Sequence, residues 1–184
     1  MTEKEKMLAG ELYFADKDVD LIKERLHSKK LCYKFNNLPV GKVKARKKIL
    51  SKLIGKTKEN FWIEPNFFCD YGYNIEIGDN FYMNHNCVIL DCAKVTFGNN
   101  VFIAPNCGFY TAGHPLDVET RNKGLEYAKP ITIGDNVWIG GNVVVLPGVK
   151  IGSNCTIGAG SVVNKDIPDN SVAVGNPCRV IKTI

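Results

Sequence analysis

From Ile133 the chain repeats every six residues: Ile133-Gly-Asp-Asn-Val-Trp, Ile139-Gly-Gly-Asn-Val-Val, Val145-Leu-Pro-Gly-Val-Lys, Ile151-Gly-Ser-Asn-Cys-Thr and Ile157-Gly-Ala-Gly-Ser-Val. An aliphatic residue opens each unit, glycine usually follows it, and a small or β-branched residue stands four places on. A helix repeats its apolar positions about every 3.6 residues and a half-buried strand about every two, so neither gives this period. It marks a parallel β-helix, in which short strands meet at tight turns and each coil buries the aliphatic position of its neighbours. Ile77-Gly-Asp-Asn, Met83-Asn-His-Asn-Cys, Ile89-Leu-Asp-Cys-Ala, Phe97-Gly-Asn-Asn-Val and Ile103-Ala-Pro-Asn-Cys continue the phase upstream. The repeat is therefore expected over most of residues 75–175, at about three hexads per coil.

Between Phe97 and Ile133 the spacing is doubled. Phe97, Ile103 and Phe109 fill one coil, and the stretch from about Gly113 to Lys129 has no hexad pattern. It reads as an excursion loop, of a length at which loops are functional or disordered. Before the repeats, Met7-Leu-Ala-Gly-Glu-Leu-Tyr begins an amphipathic segment, and Asp18 or Asp20 is a cap for the helix containing Leu21-Ile-Lys-Glu-Arg-Leu. A third helix over residues 42–54 has Val43, Ile49, Leu50, Leu53 and Ile54 as its apolar stripe. Two parts follow: a helical segment, 1–58, lying against the solenoid and covering its first strand edges, and the β-helix with its tail, 59–184.

The net charge of +5 suggests a polyanion partner until its distribution is considered. Sixteen of the 24 basic residues lie in the first sixty positions, many of them on the solvated face of the third helix. No basic motif interleaved with aromatics accompanies them, so no nucleic-acid partner is expected. No apolar run is long enough to span a membrane, and the charged start Met1-Thr-Glu-Lys-Glu-Lys opens no signal-peptide core; a cytoplasmic protein without a membrane partner is expected. Seven cysteines is an odd number, none in a Cys-x-x-Cys pair, and Cys87, Cys107 and Cys155 occupy the fifth hexad position as small fillers. Zinc chemistry on such a solenoid needs three converging imidazoles, and one of the three histidines, His27, falls in the helical segment, so no metal is expected.

Leu8-Ala-Gly-Glu-Leu-Tyr, Phe35-Asn-Asn, Thr111-Ala-Gly-His-Pro, Pro130-Ile-Thr-Ile-Gly-Asp-Asn-Val-Trp-Ile-Gly and Gly175-Asn-Pro-Cys-Arg-Val-Ile occur in that order. Together they resemble the maltose and galactoside O-acetyltransferases over nearly the whole chain. The resemblance implies a left-handed β-helix, an exception to the right-handed crossover rule. It further implies a homotrimer with active sites between subunits, and transfer of acetyl from acetyl-CoA to a sugar hydroxyl without a covalent acyl-enzyme.

A sugar hydroxyl is a poor nucleophile, and imidazole is suited to taking its proton near neutrality. His114, after Gly113 at the start of the loop, fits this role, whereas His27 reads as solvated and His85 as a coil residue able to line the cleft. For the oxyanion a hydrogen-bond donor is required. Asn84 matches the family asparagine given that role; by itself it reads as a left-handed turn residue, like Asn80, Asn100 and Asn136.

Positions matching the acceptor pocket are Asp16, Asp70, Tyr82, Asn84, Asp91 and Cys92. Asp70 stands where the galactoside enzymes carry Ser and Cys92 where they carry a second Asp. Glu126, in Gly-x-Glu-x-x-Lys-Pro, resembles the maltose branch, as a group that orients His114, a hydroxyl ligand or a plain surface glutamate. Toward acetyl-CoA the matching positions are Asn84, Gly141, Ala159, Asn164, Lys165, Arg179 and Lys182, with Trp138 packing on the arm, the loop or an interface. Cations in the tail suit nucleotide phosphates. Two other readings stand beside this one: an antibiotic acetyltransferase on the same scaffold, and a silent solenoid used for assembly.

Overall fold

The computed structural model describes residues 1–184. Three helices, α1 (Glu3–Ala9), α2 (Val19–Asn36) and α3 (Val43–Leu53), precede a left-handed parallel β-helix of triangular section. Each coil runs through three walls. The first stacks Lys56–Thr57, Ile75–Ile77, Val95–Phe97, Ile131–Ile133 and Lys150–Ile151. The second stacks Phe61–Ile63, Phe81–Met83, Phe102–Ile103, Trp138–Ile139, Thr156–Ile157 and Ser171–Val174, with Arg179–Thr183 added antiparallel. The third stacks Phe67–Cys69, Cys87–Leu90, Gly108–Tyr110, Val144–Val145 and Val162–Val163.

Register puts like on like. Ile77, Phe97, Ile133 and Ile151 form one inward column, and Met83, Ile103, Ile139 and Ile157 another. All are buried, each stabilising the fold by roughly 1.5–3 kcal/mol. Cys87, Cys107 and Cys155 are buried fillers, and all seven cysteines are free thiols. Outward columns differ sharply between walls. The first shows Glu76, Thr96, Thr132 and Lys150; the second Trp62, Tyr82, Phe102 and Trp138; the third Phe68, Val88, Gly108, Val144 and Val162.

Two devices let the coils turn and stack. Asn80, Asn100, Asn136, Asn154 and Asn170 take the left-handed conformation at the edge between the first and second walls, as asparagine does readily. Their side-chain amides form a ladder, each donating to the next at 2.9 Å. Glycine in the second hexad position has a steric cause: a Cβ on Gly134 would lie 2.7 Å from the Ser153 nitrogen and 2.8 Å from the Gly152 carbonyl carbon.

The hexad phase is not held throughout. Ile133 pairs with Ile151, 18 residues on, but Thr57 pairs with Ile77 and Ile77 with Phe97, 20 residues on. The two added residues fall at the edge between the third and first walls, in 70–74 and 90–94. At the next coil the same edge opens into the excursion, which is not patternless: Ala112–Gly113 and Leu125–Ala128 form a ribbon around α4 (Val118–Asn122).

In the N-terminal segment, α1 starts earlier than its apolar residues suggest, at a capping box in which Thr2 and Glu5 satisfy each other's backbone N–H groups. Asp18 caps α2. On α3, Leu50 and Leu53 are buried while Val43 in the first turn is exposed; Arg46 is buried instead, donating to the Leu38 carbonyl at 2.8 Å. Tyr13–Phe14 is a strand the sequence did not announce, since two residues carry no period; it pairs antiparallel with Leu125–Ala128.

Gly134→Ala is expected to lower stability by about 1–3 kcal/mol through overpacking. Gly41→Ala, where nothing lies within 4 Å of the added carbon, should stay within about 0.5 kcal/mol of the parent in urea denaturation.

Candidate active site

The widened edge holds a cavity of about 350 Å³ bounded by the N-terminal segment, the solenoid and the ribbon. Asp16, Asp70, Cys92, His114 and Glu126, distant in sequence, all line it, with Arg25 as an added member. His114 follows the ribbon strand Ala112–Gly113, and its Nδ1 lies 3.2 Å from the Leu125 carbonyl. A carbonyl only accepts, so Nδ1 carries the proton and Nε2 of the neutral ring keeps a lone pair.

The other polar groups are tied down by the fold. Arg25 donates to the Tyr71 hydroxyl at 2.7 Å, the Ala15 carbonyl at 2.8 Å and the Asp16 carboxylate at 3.1 Å. Tyr13 donates to Glu126 Oε2 at 3.0 Å. Cys92 donates weakly to Asp70 Oδ2 at 3.5 Å. Burial pushes the Asp70 carboxyl up, and burial beside that carboxylate pushes the Cys92 thiol up, so Cys92 is a neutral donor and no thiolate nucleophile. Three carboxylates facing one guanidinium already engaged by Asp16 leave a surplus of acceptors, which suits a ligand rich in hydroxyl donors.

Asp91 is brought near but not in. It is fully buried; its carboxylate accepts from the Tyr71 backbone N–H at 2.8 Å and the Asn74 backbone N–H at 3.3 Å, and it does not line the cavity. Its place is the brace of the widened 70–74 edge, a correction to its expected contact with an acceptor.

A second group lies on another edge. Asn84, Gly141 and Ala159 lie along one edge, where the second wall meets the third; Gly141 and Ala159 are on adjacent coils, and the coil of Phe102–Ile103 stands between them and Asn84. Asn84 is not a left-handed turn residue: Asn86 holds that conformation in its turn, with φ 60. The Asn84 side-chain oxygen accepts from the His85 N–H at 2.7 Å, leaving the amide N–H groups to donate outward. Tyr82 and Trp138 stand nearby on the outer second wall, Trp138 being 58% exposed. His85 turns to the Pro65 carbonyl, and His27 is exposed on α2. A third group comprises Asn164 and Lys165, exposed beyond the third wall, and the tail; Arg179 donates to Asn164 at 3.3 Å, and Lys182 projects from the exposed last strand. Within one chain the whole third wall separates Asn84 from His114.

Residues 6–58 match the maltose acetyltransferase hexapeptide capping motif, and residues 130–165 the bacterial transferase hexapeptide (six repeats). The galactoside O-acetyltransferase of Escherichia coli K12 is 48% identical over 184 residues, covering 100% of this chain and 90% of that protein. A maltose O-acetyltransferase from Clostridium difficile 630 superposes with a TM-score of 0.97 at 55% identity, over 100% of this chain and 98% of that one. The chain belongs to the maltose and galactoside O-acetyltransferase family. Two similar structures contain CoA or acetyl-CoA. A galactoside acetyltransferase in complex with coenzyme A has a TM-score of 0.96 at 48% identity, covering 100% of this chain and 92% of that one. A hexapeptide-repeat acetyltransferase of Vibrio cholerae complexed with acetyl-CoA has a TM-score of 0.91 at 37% identity, covering 100% and 98%.

Two residues of this candidate site escaped the sequence reading. Arg25 had a signal: it falls on the inward face of α2 with Leu21, Ser28, Cys32 and Phe35, where a lone arginine asks for a partner. Tyr13 had none, because its role follows from a strand pairing 113 residues away.

Burial raises the Asp91 carboxyl to about 6. A folded value above the unfolded one, about 3.9, means that the fold binds this proton more tightly. Its stabilising contribution is complete below about pH 4 and is lost as pH rises through 6. The stability of the parent relative to Asp91→Asn should therefore increase as pH falls from 7 to 4 in denaturation experiments; a pH-independent difference would contradict the assignment.

Proposed function

We propose that this chain is a homotrimeric enzyme that moves acetyl from acetyl-CoA to a hydroxyl of a maltose-, glucose- or galactoside-like sugar. The observation that carries the reading is His114, with one ring nitrogen committed to the Leu125 carbonyl, at the wall of a carboxylate-lined cavity. Nε2 takes the hydroxyl proton as the oxygen attacks the thioester carbonyl carbon. The C–O bond forms, and the displaced π pair becomes an oxyanion to which the Asn84 amide donates. Collapse breaks the C–S bond; His114 returns the proton to the leaving thiolate, and the products are the sugar ester and CoA. Asp16, Asp70 and Glu126 accept from the remaining acceptor hydroxyls, and Tyr82 supplies a polar edge on the neighbouring wall. Cys92, neutral and turned to Asp70, is a pocket wall rather than an acyl carrier.

Acetyl-CoA lies along the edge of small residues at Gly141 and Ala159, where the pantetheine arm reaches backbone groups without meeting bulky side chains. Trp138 packs against it, and Lys165, Arg179 and Lys182, with Asn164, receive the nucleotide phosphates. The relatives solved with CoA and acetyl-CoA support this choice of donor.

The trimer rests on two features. Two of three outer walls are apolar, with Trp138, Phe102 and Phe68 from 43% to 58% exposed, which marks a surface for association. Base and oxyanion donor also stand on different edges of one chain, and a closed ring that brings Asn84 of one chain to the His114 cavity of the next completes the site. No helix is long and apolar enough to cross a membrane, and a supply of acetyl-CoA suits a cytoplasmic enzyme.

His114→Ala should lower kcat by about two to four orders of magnitude in a thiol-release assay with sugar acceptors, leaving acetyl-CoA affinity unchanged by calorimetry. Activity within about threefold of the parent would remove His114 from proton transfer.

A further inference from the structure

The ribbon that carries the base lies outside the three walls, so solenoid stacking does not fix it. Its central strand, Leu125–Ala128, pairs on one side with Ala112–Gly113, which leads into His114, and on the other with Tyr13–Phe14. Phe14 stands opposite Leu125 and Tyr13 opposite Glu126. The central strand thus presents both the carbonyl that holds His114 and a carboxylate that lines the acceptor cavity.

Tyr13 is the anchor of this arrangement. Its ring is fully buried with Met7, Leu21, Tyr71 and Cys92, and its hydroxyl is the one polar group that leaves this small core for the ribbon, donating to Glu126 at 3.0 Å. Burial and the nearby Cys92 and Glu126 push the phenol well above its ordinary range, so it stays a donor wherever the protein is folded. The N-terminal strand is itself held, the Phe14 N–H donating to Glu3 on α1 at 2.6 Å and Glu3 pairing with Lys6. A continuous path runs from α1 through Tyr13 and Glu126 to Leu125 and the imidazole.

We propose that Tyr13 is a positioning residue: through Glu126 it sets the depth of the central ribbon strand, so that the Leu125 carbonyl keeps His114 in the Nδ1–H tautomer and Glu126 faces the acceptor. The proposal rests on the reading of His114 as the base. It gives the N-terminal segment a catalytic purpose beyond covering strand edges.

Tyr13→Phe removes the hydroxyl and keeps the buried ring. The test combines steady-state kinetics with nitrogen-15 NMR of the His114 ring in the full chain. Expected are a kcat lowered about tenfold, the weight of one lost hydrogen bond, an unchanged KM for acetyl-CoA, and His114 resonances moved from the pure Nδ1–H form toward mixed tautomers. Glu126→Ala should give the same ring signature, and Glu126→Gln, whose amide oxygen still accepts from Tyr13, should preserve the parent tautomer. Parent kcat and an unmixed Nδ1–H tautomer in Tyr13→Phe would overturn the proposal. The ring measurement needs no turnover, so it decides the role of Tyr13 even if His114→Ala proves active.

Discussion

The backbone of each coil lies directly on the next, near enough that one carbon added at Gly134 meets the following coil at 2.7 Å. Everything regular in the molecule follows from this approach. It demands glycine after the aliphatic residue, left-handed asparagines at the turns and inward columns of matched side chains. It also leaves no room for a binding pocket inside the stack, because a tightly packed interior tolerates few voids.

Polar and titratable side chains therefore gather around a cavity where the stacking is relaxed. One edge is widened by two residues in two successive coils and then opens into the ribbon, and there Asp70, Cys92, His114 and Glu126 line a common cavity. Asp91, the one acid of the set that turns inward, holds the widened edge in shape through two backbone N–H groups. Its cost is that of a buried carboxylate, visible in its raised proton affinity.

The solenoid was legible from the hexads because aliphatic burial and coil stacking act at a fixed spacing. The eight-residue step from Ile89 to Phe97, which marks the site edge, was passed over as a continued phase, because the aliphatic and Gly-Asn signals on either side of it are unchanged. His114 stood out as the histidine beside the excursion. Asn84 was visible only by resemblance, and the structure adds that Asn86, not Asn84, makes its turn. Tyr13 and the ribbon were not legible, since two-residue strands lack periodicity and their pairing joins opposite parts of the chain. Arg25 was readable only as an oddity on an apolar helix face.

The central claim is that a single chain carries the two halves of the reaction on separate edges, and that only a neighbour unites them. Mixing subunits tests it directly. His114→Ala and Asn84→Ala, each expected to be inactive by itself, are unfolded together, refolded in equal amounts and assayed for acetyl transfer. The account predicts recovery of about a quarter of the parent activity, because half the sites receive an intact His114 and half of those meet an intact Asn84 from the adjoining chain. No recovery from mixed trimers, with parent activity restored by refolding parent chains alone, would contradict it and return the site to a single chain.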